Sequence, residues 1–207
     1  MALEYHFYEP SKGHQLKHDP FNALVAPRPI GWVSSQSKAD EINLAPYSFF
    51  NAFNYTPPII GFASVGHKDS LKNIEETGEF CWNLVTKAFA EKMNLTSASV
   101  EHDVDEFKIA GLETTACNCI SVPRVAGIAV AMECQLTQIL RLTTKEGHAV
   151  DTWMVFGEVV GVHINQAFIK NGIYDTASAE PILRGGGPAD YFQINADMRF
   201  EMHRPKL

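Results

Sequence analysis

A chain of 207 residues, 45% hydrophobic and 20% charged, is long enough to bury one substantial core and far from the composition of disorder. A formal net charge of -7 and a pI near 5.6 provide no basic footprint, which argues against nucleic acid as a partner held through its phosphates. No apolar run approaches the ~20 residues of a membrane span, and the opening MALEYHFYEPSKGHQLKHDP is polar and mixed in charge, unlike a secretory signal; a cytoplasmic protein without a membrane partner is expected.

Cys81, Cys117, Cys119 and Cys134 are too few for a disulfide scaffold of this length. Only Cys117-Asn118-Cys119 invites a redox or metal reading. It has no second Cys or His pair at ligand spacing, so the two are read as ordinary loop thiols and no metal is expected. Without repeats, low-complexity tracts or a Gly/Ser linker, residues 1–207 read as a single domain.

Residues 1–22 hold several turn formers and no sustained period, which predicts an irregular arm lying on the domain. Ile30–Ser35 and Ile42–Phe53 are strand-like, joined through SKADE as a hairpin, and Thr56-Pro57-Pro58 stops the second because proline cannot donate to a ladder. IIGFASV follows as a short buried strand. In GHKDSLKNIEETGEF, Asp69 or Ser70 can cap a helix with Leu71 and Ile74 on its inner face, and Gly78 stands where a left-handed cap ends it. FCWNLVT then reads as a strand and KAFAEKMNLTSASV as a second helix, with Phe89 and Met93 on one side. From Glu101 to Cys119 there is no period, and a loop is expected.

The clearest alternation lies in GIAVAMECQLTQILRL. Ile128, Val130, Met132, Cys134 and Leu136 alternate with Ala129, Ala131, Glu133, Gln135 and Thr137, as in a half-buried strand. Past the turn TTKEGH, the segment TWMVFGEVVGVHI supplies an antiparallel partner; Glu158 interrupts its apolar face and is assigned to a rim or subunit interface, since a buried unpaired charge is costly. Residues 181–207 read as a glycine-rich loop and tail. Six or more strands joined mostly by hairpins, with two short inserted helices, make the fold mainly β and favour an antiparallel barrel over a doubly wound sheet.

Two local constellations suggest ligand chemistry. Ser64, Lys68 and Ser70 cluster around a helix start, where free N–H groups and the helix dipole favour a phosphate, and Lys72 adds charge one turn on. Helix caps with solvated lysines account for the same residues equally well. In APRPIGWVSSQSKADEINLAPYSFFNAF, hydroxyls and amides alternate with Trp32, Tyr47 and Phe50, which suits a planar heteroaromatic ligand, and Arg28 between two prolines offers a charge. An aromatic core with polar residues facing water is the simpler reading of that stretch alone. His67 and His148 read as structural or solvated.

Taken together, PRPIGWVSS, NLAPYSFFNAF, TPPIIGFAS, HKDSLKNIEETGEFCWNLVT and RGGGPADY, in this order from Leu24 to Tyr191, resemble the flavin reductase-like FMN-binding split-barrel family. That family includes flavoredoxins and the reductase components of two-component monooxygenases. The resemblance implies a six-stranded antiparallel Greek-key split barrel, a homodimer, and FMN near the subunit interface. It implies that Ser34 and the backbone of Ala45, Pro46, Tyr47 and Ser48 contact the isoalloxazine and ribityl chain, with Phe50 and Asn51 close by. Ser64, Lys68, Asp69 and Ser70 would hold the phosphate, with Arg28 and Trp32 beside the flavin and Arg184 and Tyr191 reaching it from the C-terminal loop, whose Arg-to-Tyr spacing is longer than the family's. The implied activity is hydride transfer from NAD(P)H to FMN for a monooxygenase or another acceptor. The alternative is a flavoredoxin-like carrier reduced by an electron-transfer partner. No catalytic side chain is assigned, because this transfer needs no protein acid or base. No GxGxxG follows a strand, FASVG lacks the first glycine of a GxSxG elbow, and neither HExxH nor a Walker A pattern occurs.

Overall fold

The computed structural model describes residues 3–98, 100 and 104–206. The arm is largely exposed, with a single 3-10 turn at Pro10–Lys12 and a one-turn helix α1 (Phe21–Leu24). Strands β1 (Gly31–Gln36) and β2 (Ile42–Tyr47) form the expected hairpin, Gly31 opposite Tyr47 and Gln36 opposite Ile42.

The strand expected to run from Ile42 to Phe53 is two strands. It breaks at Ser48-Phe49, and β3 (Phe50–Tyr55) leaves β2 to pair with β4 (Pro58–Val65). The Phe49 carbonyl accepts from Ala63 N at 2.8 Å, which fixes the corner. Both halves have strand composition, so alternation cannot reveal a turn between them.

Helix α2 (Asp69–Thr77) ends at Gly78, whose φ of 72° is the left-handed cap expected there. At its start, however, Lys68 holds the N-cap position and its side chain makes no cap hydrogen bond. β5 (Glu79–Asn83) follows, then a 3-10 turn (Lys87–Phe89) and α3 (Ala90–Leu95) with Met93 buried. In the stretch expected to be loop, Asp105 caps a four-residue helix α4 (Glu106–Ile109) by accepting from the N–H groups of Phe107 and Lys108. Four residues are too few to show a period. A two-residue ladder joins β6 (Thr114–Thr115) to β7 (Arg124–Val125), and the long hairpin consists of β8 (Val130–Thr143) and β9 (Ala149–Ile164). Short pairs β10 (Ile169–Lys170) with β11 (Ile173–Tyr174), and β12 (Ile182–Arg184) with β13 (Tyr191–Gln193), complete the chain. The expected C-terminal loop thus contains a hairpin. Glu158 is half-buried, paired with Ile59 and Gln135.

Seven strands form one sheet in the order β2-β1-β5-β8-β9-β4-β3, antiparallel at every step and one strand more than expected because of the break at Ser48. Its outermost strands, β2 and β3, are consecutive in the chain and separated by only Ser48 and Phe49. Three Cα steps reach at most ~11 Å, whereas the outer strands of a flat seven-stranded sheet would lie about 29 Å apart. The sheet is therefore curled until its edges meet. Among the described residues no ladder joins β2 to β3, which leaves the barrel split.

Val33, Tyr47, Phe62, Phe80, Val130 and Val155, from six strands around the sheet, pack into one cluster, which accordingly fills the barrel; Leu71 and Ile74 of α2 join it. A second cluster, with Trp32, Leu44, Cys81, Met93, Phe107 and Val122, lies between one outer sheet face and the α3, α4 and 112–128 segments. That covering layer also overturns the expected alternation of β8, for Glu133 is fully buried instead of solvated.

Gly157 of β9 shows how tightly the barrel interior is filled. A Cβ there would sit 2.6 Å from Phe80 Cζ and 3.0 Å from the Cys134 Cβ, and Phe80 is fully buried with nowhere to move. Gly157→Ala is expected to lower stability by about 2 kcal/mol through overpacking, read from urea denaturation. Combined with Phe80→Leu, the loss is expected to be smaller than the sum of the two singles.

Candidate functional site

The corner between β2 and β3 opens a cleft of about 590 Å³ lined by Ala45, Pro46, Tyr47 and Ser48 on one side and by His67, Lys68, Asp69 and Ser70 on the other. Sequence positions more than twenty residues apart meet here because α2 begins where β4, the neighbour of the corner, ends. The first turn of α2 presents N–H groups without intrahelical partners, and the N-cap residue Lys68 makes no side-chain cap. With exposed Lys68 at the same point, that end of the cleft suits an anionic oxygen group.

The remaining polar groups divide into satisfied and unsatisfied ones. The Asn43 amide and the Ser70 hydroxyl are 2.7 Å apart; with the amide oxygen turned to Ser70, its nitrogen donates to Glu106 at 3.2 Å. Glu106, buried on α4, also accepts from Leu44 N at 3.1 Å. Burial raises its carboxyl above the ordinary range, opposed by the Leu44 N–H. Tyr47 is 7% exposed, its ring 4.4 Å from that of Phe62, and among the described residues its buried hydroxyl makes no hydrogen bond of good geometry. Burial raises its pKa, partly offset by the nearby hydroxyls of Ser70 and Ser64. A buried orphan hydroxyl is costly, and a ligand group seated in the cleft would satisfy it. His67 is engaged by Glu75 at 2.9 Å.

Phe49 lines both this cleft and an adjoining pocket of about 500 Å³ that contains Arg28, Phe50 and Asn51. Arg28 itself is deeply committed. Its guanidinium donates to the carbonyls of Asn22 and Val25, both at 2.5 Å, and of Ser48 at 3.1 Å, with Phe49 beneath it at 5.6 Å. Burial and the nearby Arg184 both lower its pKa. It pins the arm to the corner. Phe50 stacks on Trp82 at 5.5 Å.

Other expected site residues do not line this cleft, although the Ser64 hydroxyl is close to that of Tyr47. Trp32 is fully buried in the outer cluster and donates to Thr96 Oγ1 at 2.9 Å. Ser34 is fully buried and donates to Pro123 O at 2.7 Å, and Ser64, also buried, donates to Gly66 O at 2.8 Å. Arg184 is wrapped by its own glycine-rich turn, donating to the carbonyls of Asp190, Gly187 and Pro188, with its guanidinium 5.0 Å from the Tyr191 ring. Tyr191 lines a different pocket, with Met93 and Ile182. Within one chain, then, the corner and the α2 start come together, and the β12–β13 hairpin is bridged to Arg28 beside the corner, Arg28 N donating to Arg184 O at 2.9 Å and Arg184 N to Arg28 O at 2.8 Å.

The family model for the flavin reductase like domain matches residues 24–180. The chain belongs to the flavin reductase-like family. The matched range holds every expected site residue except Arg184 and Tyr191. An uncharacterized protein of Aquifex aeolicus is 34% identical over 171 residues, covering 79% of this chain and 83% of that one. Among solved structures, the Pseudomonas fluorescens 2-nitrobenzoate 2-nitroreductase NbaA is 32% identical with a TM-score of 0.78, covering 89% of this chain and 88% of that one. Nitrilotriacetate monooxygenase component B from Bacillus cereus is 27% identical with a TM-score of 0.86, covering 97% of this chain and 100% of that one. The seven-stranded curled sheet is thus the split barrel of this family. No helix among the described residues is long and apolar enough to cross a membrane.

Asn43 is one of the amides that the sequence offers to a cleft, whereas Glu106 carries no such signal. Glu106 sits in a stretch without period, and only the packing of α4 on β2 brings it to the cleft. A carboxyl whose folded pKa exceeds its unfolded one favours folding when protonated, so its ionisation lowers stability as pH rises from about 4 towards neutrality. Glu106→Gln keeps an acceptor for Leu44 N. It is expected to raise the melting temperature by a few degrees at pH 7 and by nothing at pH 4, in paired thermal melts.

Proposed function

We propose that this protein binds FMN in the corner cleft and acts as an NAD(P)H-dependent FMN oxidoreductase that passes electrons to a monooxygenase or another acceptor. The observation behind this reading is a pair of pockets that share Phe49: one holds the α2 start with Lys68, and the other holds Phe50 and Arg28. The family membership and the likeness to NbaA and to the monooxygenase component support it.

The residues present fit this cofactor. The α2 N–H groups and Lys68 would hold the phosphate, through charge-assisted hydrogen bonds each worth about 1.5–3 kcal/mol. The backbone of Ala45, Tyr47 and Ser48 would supply donors and acceptors, the Tyr47 hydroxyl would gain the partner it lacks, and Phe49 would provide an apolar wall. Glu106 also lines the cleft, where it is hydrogen-bonded to Leu44 N and burial raises its pKa, which favours its neutral form beside an anion. When bound, FMN supplies hydride acceptance and onward electron delivery. The reading includes a homodimer, for which the exposed Val160 and Val162 of β9 and Leu3, Tyr5 and Phe7 of the arm offer apolar surface.

The test is the visible spectrum of the full chain after FMN loading and desalting, recorded anaerobically before and after NADH and then NADPH. Flavin is expected to be retained and to bleach with at least one of the two. Retention without bleaching would replace the reductase with a carrier reduced by a protein partner. Lys68 is exposed, so Lys68→Glu leaves the fold intact and is expected to weaken FMN binding at least tenfold by fluorescence titration while leaving riboflavin binding unchanged. Equal loss for both ligands would remove the phosphate from this end of the cleft.

A further inference from the structure

We propose that Cys117, Glu133 and His163 form a binding site for one divalent transition metal ion of the zinc class, separate from the corner cleft. The sequence offers Cys117-Asn118-Cys119 without companions, and the sheet supplies them from far along the chain. Glu133 on β8 is opposite Cys81 of β5 and Gly161 of β9, and His163 is opposite Ala131, so the two side chains share the outer sheet face on which Cys81 and Ala131 pack. Cys117 packs against that same face. A sulfur, a carboxylate oxygen and an imidazole nitrogen from these three residues all lie within 4.8 Å of one another.

Three further features point to a built site. Glu133 is fully buried, and its carboxylate is oriented by N–H donors of the loop that bears Cys117: Asn118 N at 2.8 Å and Cys119 N at 2.5 Å. A metal-binding carboxylate needs this kind of outer support. His163 Nε2 makes a short hydrogen bond to Glu133 Oε1, and its side chain remains 23% exposed, which leaves an entry path. Gly161 lies across the ladder, where a Cβ would be 3.0 Å from the Glu133 carboxyl carbon; any larger residue would crowd the carboxylate out of position. None of the three residues lines the cleft or the pocket beside it.

Thiolate, imidazole and carboxylate are the zinc donor set, with bonds of about 2.0–2.3 Å, so bound ligand atoms stand roughly 3–4 Å apart. Small side-chain rotations bring these three to that spacing. The ion would replace the proton between His163 and Glu133, and Cys117 would lose its thiol proton, so binding releases up to two protons and tightens as pH rises. A fourth position stays open on the exposed side of His163.

The test uses the reduced full chain, without reference to flavin or turnover. Zinc titrated against a chromophoric chelator is expected to bind at one equivalent, and cobalt(II) in its place to show a thiolate-to-cobalt charge-transfer band with four-coordinate visible bands. Cys117→Ser is nearly isosteric; it is expected to abolish that band and weaken zinc binding at least 100-fold with an unchanged circular dichroism spectrum. His163→Gln is expected to weaken binding similarly. Cys119→Ser, at the exposed neighbouring thiol, is expected to change neither. Absence of a bound equivalent, a cobalt band that survives Cys117→Ser, or one that disappears with Cys119→Ser would overturn the proposal.

Discussion

The structure depends on a length constraint at Ser48 and Phe49. Two residues join the outermost strands of a seven-stranded sheet, and so short a link is satisfied only when the sheet curls through most of a full turn. From that closure follow the enclosed cluster around Phe62 and Phe80, the need for glycine at Gly157, and the open corner where β2 and β3 meet without pairing. An unpaired pair of edges is ordinarily a liability. Here the corner is tied down by the bond from Ala63 N to the Phe49 carbonyl and by Arg28, which gathers carbonyls from the arm and from Ser48.

The same corner explains the position of the candidate cofactor site. At the split, backbone polar groups of β2 and β3 are not consumed by a ladder between them, and α2 begins beside it. The helix end brings N–H groups, and the corner brings the Tyr47 hydroxyl and an aromatic wall. Burying Glu106 close by has an electrostatic cost. Coupling through Asn43 and Ser70 keeps that carboxylate hydrogen-bonded.

The outer face of the sheet is organised differently. There Glu133 is satisfied without solvent because two N–H groups from a loop and one imidazole converge on it, and together they hold its carboxyl below the ordinary range against the opposing effect of burial. A charge so placed does not add stability in proportion to its contacts, since desolvation offsets most of the gain. Its value lies in fixing the 117–119 loop and His163 around a single point.

The sequence by itself determined the local elements and the family. The β8–β9 hairpin, the Leu71 and Ile74 face of α2 with its Gly78 stop, the Lys68–Ser70 helix start, and five ordered motifs were legible because each depends on residues near one another in the chain. The tertiary structure decided what depends on closure. It broke Ile42–Phe53 into two strands at a corner held by Ala63, buried Glu133 beneath a loop, and moved Trp32 and Ser34 into the core while leaving Tyr47 at the cleft. Which face of a strand meets solvent is set by what packs over it, and that covering layer comes from residues tens of positions away. Neither Glu106 at the cleft nor the meeting of Cys117, Glu133 and His163 has any local signature, because their proximity exists only once the sheet has curled and its outer face is covered.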